Sequence, residues 1–237
     1  MAHARVFQPG DVISYREMCD AEGINTLQRG MNFQLGGTHS VILLSRRPGA
    51  PYKDVVRDEG RTLVYEGHDA PRTAGCPNPK SVDQPTTTPG GKLTQNGLFE
   101  KAALERGGTP RAEMVRAYEK LHDGIWVFAG TFRLVKSTRV HDGHRSVFRF
   151  HLTLAEPSEG SAAKARAVAP DHNRVIPTDV KLAVWKRDHG RCTECGATTN
   201  LHFDHIIPFS RGGTSLKAEN IQLLCAKHNL AKHDHIV

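Results

Sequence analysis

The chain lacks what a membrane-embedded or secreted protein needs. No apolar run in its 237 residues approaches the roughly 20 that span a bilayer. The opening stretch MAHARVFQPG has no apolar segment of the kind that a signal peptide carries. Cysteine is scarce and odd in number, five in all. Three of the five crowd into the C-terminal quarter, and Cys19 and Cys76 have no pairing signature. A disulfide scaffold is thereby excluded, and a soluble protein of a reducing cytoplasm is expected. No internal repeat is visible.

What is present is positive charge. Lys and Arg total 32 against 25 Asp and Glu, a formal net charge of +7. A basic soluble protein commonly meets a polyanion, and nucleic acid is the first candidate. From Asp171 onward the balance is nine basic to seven acidic residues, so most of the excess lies upstream. Both parts of the chain are therefore expected to touch phosphates.

The first 155 residues read as mixed and β-rich. Strands are predicted at Thr38–Ser45, Thr62–Tyr65, Ile125–Phe128, Thr131–Val135 and Val147–Leu154; the last mostly alternates apolar with polar residues, as a half-buried strand does. Helices are predicted at Gly97–Glu105 and, shorter, at Ala112–Ala117. Cys76 to Gly91 holds four prolines and a threonine triplet and reads as a loop. EPSEGSAAKARAVAPDHNR, beginning at Glu156, reads as an interdomain linker. Thr178 is then expected to cap a helix running to about Asp188, with Val180, Ala183 and Val184 on its buried face. The predicted organisation is a domain over residues 1–155, a linker over 156–175 and a second domain over 176–237.

The C-terminal region interleaves two sets of polar residues. Cys192, Cys195, Cys225 and His228 form a CxxC…CxxH pattern, which suits tetrahedral zinc. Four protein ligands leave no open position, so this zinc is expected to be structural, stapling a unit too small for a large core. Between and after these half-sites stand Asp204, His205, Asn220 and Asn229, oxygen donors with one imidazole. They suit a hard divalent cation with a general base.

CxxC, DHIIPFSRGG, ENIQLLC and CxxHN, in that order, resemble the HNH nucleases, the ββα-metal fold, in zinc-stapled form. The resemblance runs from about Thr178 to His235. It implies that His205 is the base that takes a proton from water, and that Asp204 is the anionic metal ligand. Asn220 then holds the loop that orients His205, and Asn229 supplies the second metal contact. His233 lies one helical turn beyond Asn229 and is a candidate third ligand. The catalytic cation is expected to be Mg2+, with Mn2+, Co2+ or Ni2+ more competitive if His233 binds. His202 shares a side of its strand with Asp204 and is expected to be solvated.

Four segments of the N-terminal part, also in order, resemble the SRA (SET- and RING-associated, or YDG) family, whose curved β-sheet reads modified cytosine. They are His39-Ser-Val-Ile-Leu-Leu44, Pro51-Tyr52-Lys-Asp54 running on to Leu63-Val-Tyr65-Glu-Gly67, Asp83-Gln84…Thr94-Gln-Asn96, and His122-Asp123-Gly124 where the family has Tyr-Asp-Gly. The resemblance implies a flipped base held in a pocket, stacked on Tyr52 and Tyr65, its exocyclic amine donating to Asp54.

Together these readings predict an α+β protein. It would have a curved, barrel-like SRA β-sheet domain with flanking helices, a linker, and a small C-terminal ββα-metal HNH domain with structural zinc. The function they imply is a modification-dependent endonuclease. It would cut double-stranded DNA carrying 5-methylcytosine or 5-hydroxymethylcytosine, as a homodimer at least during double-strand cleavage, with no membrane partner. Two alternatives are an HNH nicking or repair nuclease reading unmodified DNA and a reader with an inactive nuclease domain.

Overall fold

The computed structural model describes residues 7–47, 49–58, 61–155, 176–208 and 211–232. The predicted linker and His233 lie outside these. The described residues form an α+β structure built on one large sheet and one small hairpin. Strands β1 (Val12–Ser14), β2 (Met31–Leu35), β3 (His39–Leu44), β4 (Val55–Arg57), β5 (Thr62–Glu66), β6 (Met114–His122), β7 (Ile125–His141) and β8 (Ser146–Leu154) make the large sheet. Its order is β2-β3-β6-β7-β8-β5-β4, with β1 pairing on β7. All pairings are antiparallel except β3 with β6. Helices α1 (Tyr15–Ala21) and α2 (Gln95–Arg106) flank it.

Two predicted strands are one. Ile125–Phe128 and Thr131–Val135 belong to the 17-residue β7, and its register against β6 slips where Ala117 pairs Gly130 and Tyr118 pairs Phe128. Such a bulge bends a long strand and lets the sheet curve. The helix predicted at Ala112–Ala117 is a strand instead. MVRAYEKLH is rich in helix formers, but β6 lies centrally between β3 and β7, and Val115, Ala117 and Tyr118 are fully buried there. Tertiary packing overrides local propensity at such positions.

The C-terminal unit comprises α3 (Thr178–Arg187), β9 (Leu201–His205), β10 (Ile221–Cys225) and α4 (Ala226–Lys232). β9 and β10 pair antiparallel, His205 opposite Ile221 and Leu201 opposite Cys225. Thr178 does not cap α3; Pro177 holds the N-cap position, and the Thr178 hydroxyl donates to Glu119 of β6. Val180 and Val184 are buried as expected, whereas Ala183 is exposed and Lys181 is buried in its place.

That exchange reflects how the two units meet. Val12, Leu121 and Val127 of the large sheet share one apolar cluster with Ile176, Val180, Val184, Leu201, Phe203, Ile221 and Leu223. The Lys181 ammonium pairs with Glu119 inside this seam. The backbone joins too, since Phe203 N–H donates to the Gly10 carbonyl at 3.2 Å and Asp11 bridges His202. The C-terminal hairpin is thus docked on the sheet through a common core.

Candidate functional site

Two sites emerge, one in each unit. The first is a cavity of about 340 Å³ lined by Gln28, Arg29, Gly30, Leu43, Ser45, Pro51, Tyr52, Asp54, Tyr65 and His68. Tyr52, Asp54 and Tyr65 are therefore brought together. Its wall is the end of β5 and the turn after it, and that turn is clamped from behind. The Asn96 carboxamide accepts from His68 N–H and donates to the His68 carbonyl, both at 2.8 Å. Gln84 donates to the Gly67 carbonyl and accepts from Phe148 N–H. Both amides are buried, so each polar contact counts in full. The Asp83-Gln84 and Thr94-Gln-Asn96 segments thus build the cavity wall from outside. His122-Asp123-Gly124 lies elsewhere, as the β6–β7 turn, with Asp123 exposed beside Lys120 and Arg47.

Within the cavity the three rings sit in different settings. The Tyr65 ring is part of the core, and its hydroxyl donates to the Gly30 carbonyl and meets His68 Nε2 at 3.0 Å. The ring lying parallel to Tyr52 is His68, with centroids 5.3 Å apart and planes 13° from parallel. Lys80 Nζ sits 4.3 Å from the Tyr52 ring centre. Sequence reasoning passed over His68; its place three residues after Tyr65 was the available signal. Gly30 faces this group closely, since a Cβ there would lie 2.9 Å from His68 Nε2 and 3.1 Å from the Tyr65 hydroxyl.

Burial moves the titration of Asp54 and of His68 in opposite directions. Desolvation pushes the Asp54 carboxyl up to about 7, aided by the nearby Glu66 charge, although the N–H groups of Glu66 and Ser45 and the Arg149 charge oppose it. His68 moves the other way, to about 4, because burial and the charges of Arg29 and Lys80 disfavour imidazolium more than Asp69 favours it. The cavity thus presents a neutral imidazole, a carboxyl poised near neutrality and a phenol hydroxyl.

The second site is the zinc-type cluster with the adjoining hairpin. The ligand atoms of Cys192, Cys195, Cys225 and His228 all lie within 4.8 Å of one another. Cys195 Sγ is 3.8 Å from Cys225 Sγ, and His228 Nδ1 is 3.5 Å from Cys225 Sγ and 3.3 Å from Cys192 Sγ. Zinc bonds of about 2.3 Å to sulfur and 2.0 Å to nitrogen give tetrahedral edges of roughly 3.5–3.8 Å. The donor set and its spacing fit that ion. Burial works against a Cys192 thiolate, yet hydrogen bonds from the Cys225, Cys195 and Glu194 backbone and from His228 outweigh it and lower the thiol to about 6.

Beside this cluster, β9 carries Asp204 and His205, both buried. His205 Nε2 meets the Ser215 hydroxyl at 2.8 Å. Asn220 closes the intervening loop, accepting from Ile207 N–H at 2.8 Å and donating to the Ile207 and Thr214 carbonyls. Gly213 allows this closure, because a Cβ there would fall 1.8 Å from the Ile207 oxygen. Ser215 was not foreseen, and its contact with His205 depends on this loop.

Asp204 and Asn229 are not equally free. The Asp204 carboxylate is paired with Lys232 Nζ, which also donates to the His205 carbonyl. Asn229 Oδ1 is buried and has no hydrogen-bond partner among the described residues. His202, expected to be solvated, has Nδ1 against the Asp11 carboxylate and a side chain only 14% exposed.

Residues 192–235 match the family model described as HNH endonuclease. This part of the chain is an HNH endonuclease domain, a hydrolase of phosphodiester bonds. No curated protein matches the chain. Among solved structures, the chain is similar to the SRA domain of SUVH5 in complex with hemimethylated CG DNA. That match has 20% identity and a TM-score of 0.44, and it covers 65% of this chain and 92% of that one. A SUVH5 SRA structure bound to fully hydroxymethylated CG DNA matches with 17% identity and a TM-score of 0.43, covering 65% and 93%. KRYPTONITE in complex with mCHG DNA matches over 63% of this chain and 32% of that one, with 14% identity and a TM-score of 0.40. Among the described residues no helix is long and apolar enough to cross a membrane.

Proposed function

We propose that this protein is a modification-dependent DNA endonuclease, in which the large-sheet unit (1–155) reads one flipped 5-methyl- or 5-hydroxymethylcytosine and the HNH unit (176–237) cuts nearby. The observation that carries the reading is the convergence of Tyr52, Asp54 and Tyr65 on one cavity in a chain that also holds an HNH endonuclease domain. About 340 Å³ falls in the range of small-ligand sites, roughly 300–1,000 Å³. A flipped cytosine needs a flat surface for its face and acceptors for its amine, and Tyr52 and Asp54 offer these. Stacked bases lie about 3.4 Å apart, so a base sandwiched between Tyr52 and His68 needs those rings about 7 Å apart. The pair therefore opens on loading, or the base lies on one side of it; the Tyr65 hydroxyl serves as a polar anchor.

In the nuclease unit His205 takes the proton from the attacking water, and Asn220 holds the loop that sets Ser215 against it. A divalent cation supplies the Lewis acid for the scissile phosphate when bound. Asn229 Oδ1, with no hydrogen-bond partner among the described residues, and the Asp204 carboxylate are oxygen donors that fit such an ion, Mg2+ or one of Mn2+, Co2+ and Ni2+. Zinc is held by Cys192, Cys195, Cys225 and His228 and staples the unit. One such site cuts one strand, so a double-strand break calls for two protomers or two binding events. The compartment that suits this activity is the cytoplasm.

The test uses the full-length His205→Ala protein, which is expected to bind DNA without cutting it. Its binding to paired duplexes, with and without a single modified cytosine, is measured at several salt concentrations. A preference for the modified duplex at every salt is expected, and Asp54→Ala should reduce it about ten- to a hundredfold, the worth of a charge-assisted hydrogen bond of roughly 1.5–3 kcal/mol. Phosphate contacts set the salt slope, which should stay unchanged. Equal affinity for both duplexes would leave an HNH nuclease of unmodified DNA. Preference with no cleavage by the unsubstituted protein under any divalent cation would leave a reader alone.

A further inference from the structure

Backbone hydrogen bonds run from the large sheet into the nuclease unit. Gly10 N–H donates to the Phe128 carbonyl and Phe128 N–H to the Asp11 carbonyl, so the segment entering β1 already belongs to the sheet. Phe203 N–H in turn donates to the Gly10 carbonyl, and Asp11 bridges His202 in the antiparallel sense. His205 follows Phe203 by two residues on the same strand, β9.

A second connection starts at the base cavity. Leu43 of β3 lines that cavity and is the register partner of Tyr118 on β6. The next residue along β6, Glu119, holds Lys181 and Thr178 of α3. Glu119 also lies opposite Val127 of β7, and Val127 opposite Val12 of β1. Both valines belong to the apolar cluster shared with the nuclease unit. The cavity wall and the grip on the nuclease unit are thus neighbours on paired strands.

Units of one chain commonly meet through polar surfaces and move relative to each other, unless the interface is large and apolar. In this seam Leu121, Val127, Val184, Ile221 and Leu223 are at most 1% exposed. Parting the units would bare part of that cluster and strand the Glu119–Lys181 pair, so separation is opposed twice. The alternative is a nuclease that is merely tethered. A flexible stretch of about 20 residues would let it range over about 25 Å. At about 3.4 Å per base pair, that is roughly seven base pairs of duplex.

We propose that the seam sets where the HNH unit cuts relative to the modified base, with Glu119 and Lys181 as its positioning pair. This rests on the reading of the large-sheet unit as a modified-cytosine reader given above. The cut then falls at one fixed offset from the flipped base. Its position does not depend on how much chain joins the two units.

The test maps cuts to the nucleotide on duplexes that carry a single modified cytosine. The full-length protein and a variant with about ten Gly and Ser residues inserted among residues 156–175 should share one offset. Cuts that are spread in the unsubstituted protein, or that broaden with the insertion, would overturn the proposal. Lys181→Glu sets two carboxylates face to face and should spread the cuts over about seven base pairs. Adding Glu119→Lys to that variant should restore the single offset. A folded Lys181→Glu protein that keeps one offset would also overturn the proposal; if it does not fold, the insertion variant decides. A protease site placed among residues 156–175 gives a readout without DNA. After cleavage the two halves should elute together as one species, and separate elution would overturn the docking. If the unsubstituted protein cuts modified and plain duplexes alike, the reader assignment fails, and the elution result alone decides whether the seam holds.

Discussion

Glu119 on β6 and Lys181 on α3 form an ion pair whose side chains are each 2% exposed, at the junction of the two units. The Thr178 hydroxyl donates to the other carboxylate oxygen. Removing one member strands a buried charge, at a cost of about 3–5 kcal/mol, whereas replacing both with apolar residues is often neutral. Glu119→Leu and Lys181→Met should therefore each lower the urea midpoint sharply, and the double variant should recover most of the loss. A double variant as unstable as the sum of the singles would show that the pair does not act as a unit.

The zinc-type cluster should behave as a folding element. Cys192→Ser or Cys225→Ser should unfold the nuclease unit, because metal binding and folding are one equilibrium in such small modules. Metal analysis of the unsubstituted protein should give about one zinc per chain. Finding none would remove the structural-zinc assignment.

Asp54 makes a pH prediction of definite sign. Its folded value of about 7 lies above the ordinary 3.8, so the folded protein binds a proton more readily than the unfolded chain. The associated stability is fully present below about pH 4 and is lost as pH rises through 7. Asp54→Asn should remove this slope, so its stability relative to wild type should climb between pH 4 and 7 and then level off. His68, held down at about 4, acts oppositely, and its contribution is lost as pH falls from 6.5 to 4. His68→Asn should flatten that acid limb. A variant-to-wild-type difference independent of pH in either window would refute the burial argument for that residue.

Lys232 stands in for positive charge at Asp204. Lys232→Met should destabilise the protein by roughly 3–5 kcal/mol, since the carboxylate remains buried without a partner. Added Mn2+ should restore part of that loss by supplying the missing charge, read as a larger rise in melting temperature than wild type shows. An equal rise in both proteins would mean that the cation does not reach Asp204.

The sequence by itself determined whatever depends on short spacing. CxxC and CxxH put four donors within reach of one ion because each half-site is a single turn of chain. Asp204 and His205 are neighbours on one strand, so their closeness was legible before any fold, whereas Asn220 was named through the family resemblance and closes a loop reaching back 13 positions to Ile207. Tyr52, Asp54 and Tyr65 were named only through the family resemblance, and the short hairpin β4–β5 carries them to one cavity.

Only the tertiary structure decided the rest. MVRAYEKLH is a strand because two neighbours claim its hydrogen bonds, and Lys181 is buried because Glu119, 62 positions away, is there to meet it. His202 looked solvated until Asp11 of the other unit covered it, and Lys232 had no visible reason to face Asp204. Burial of a polar group is tolerable only when its partner is present. Partners that are distant along the chain are brought together by the fold, so which polar residues are buried could be read only from the packed structure.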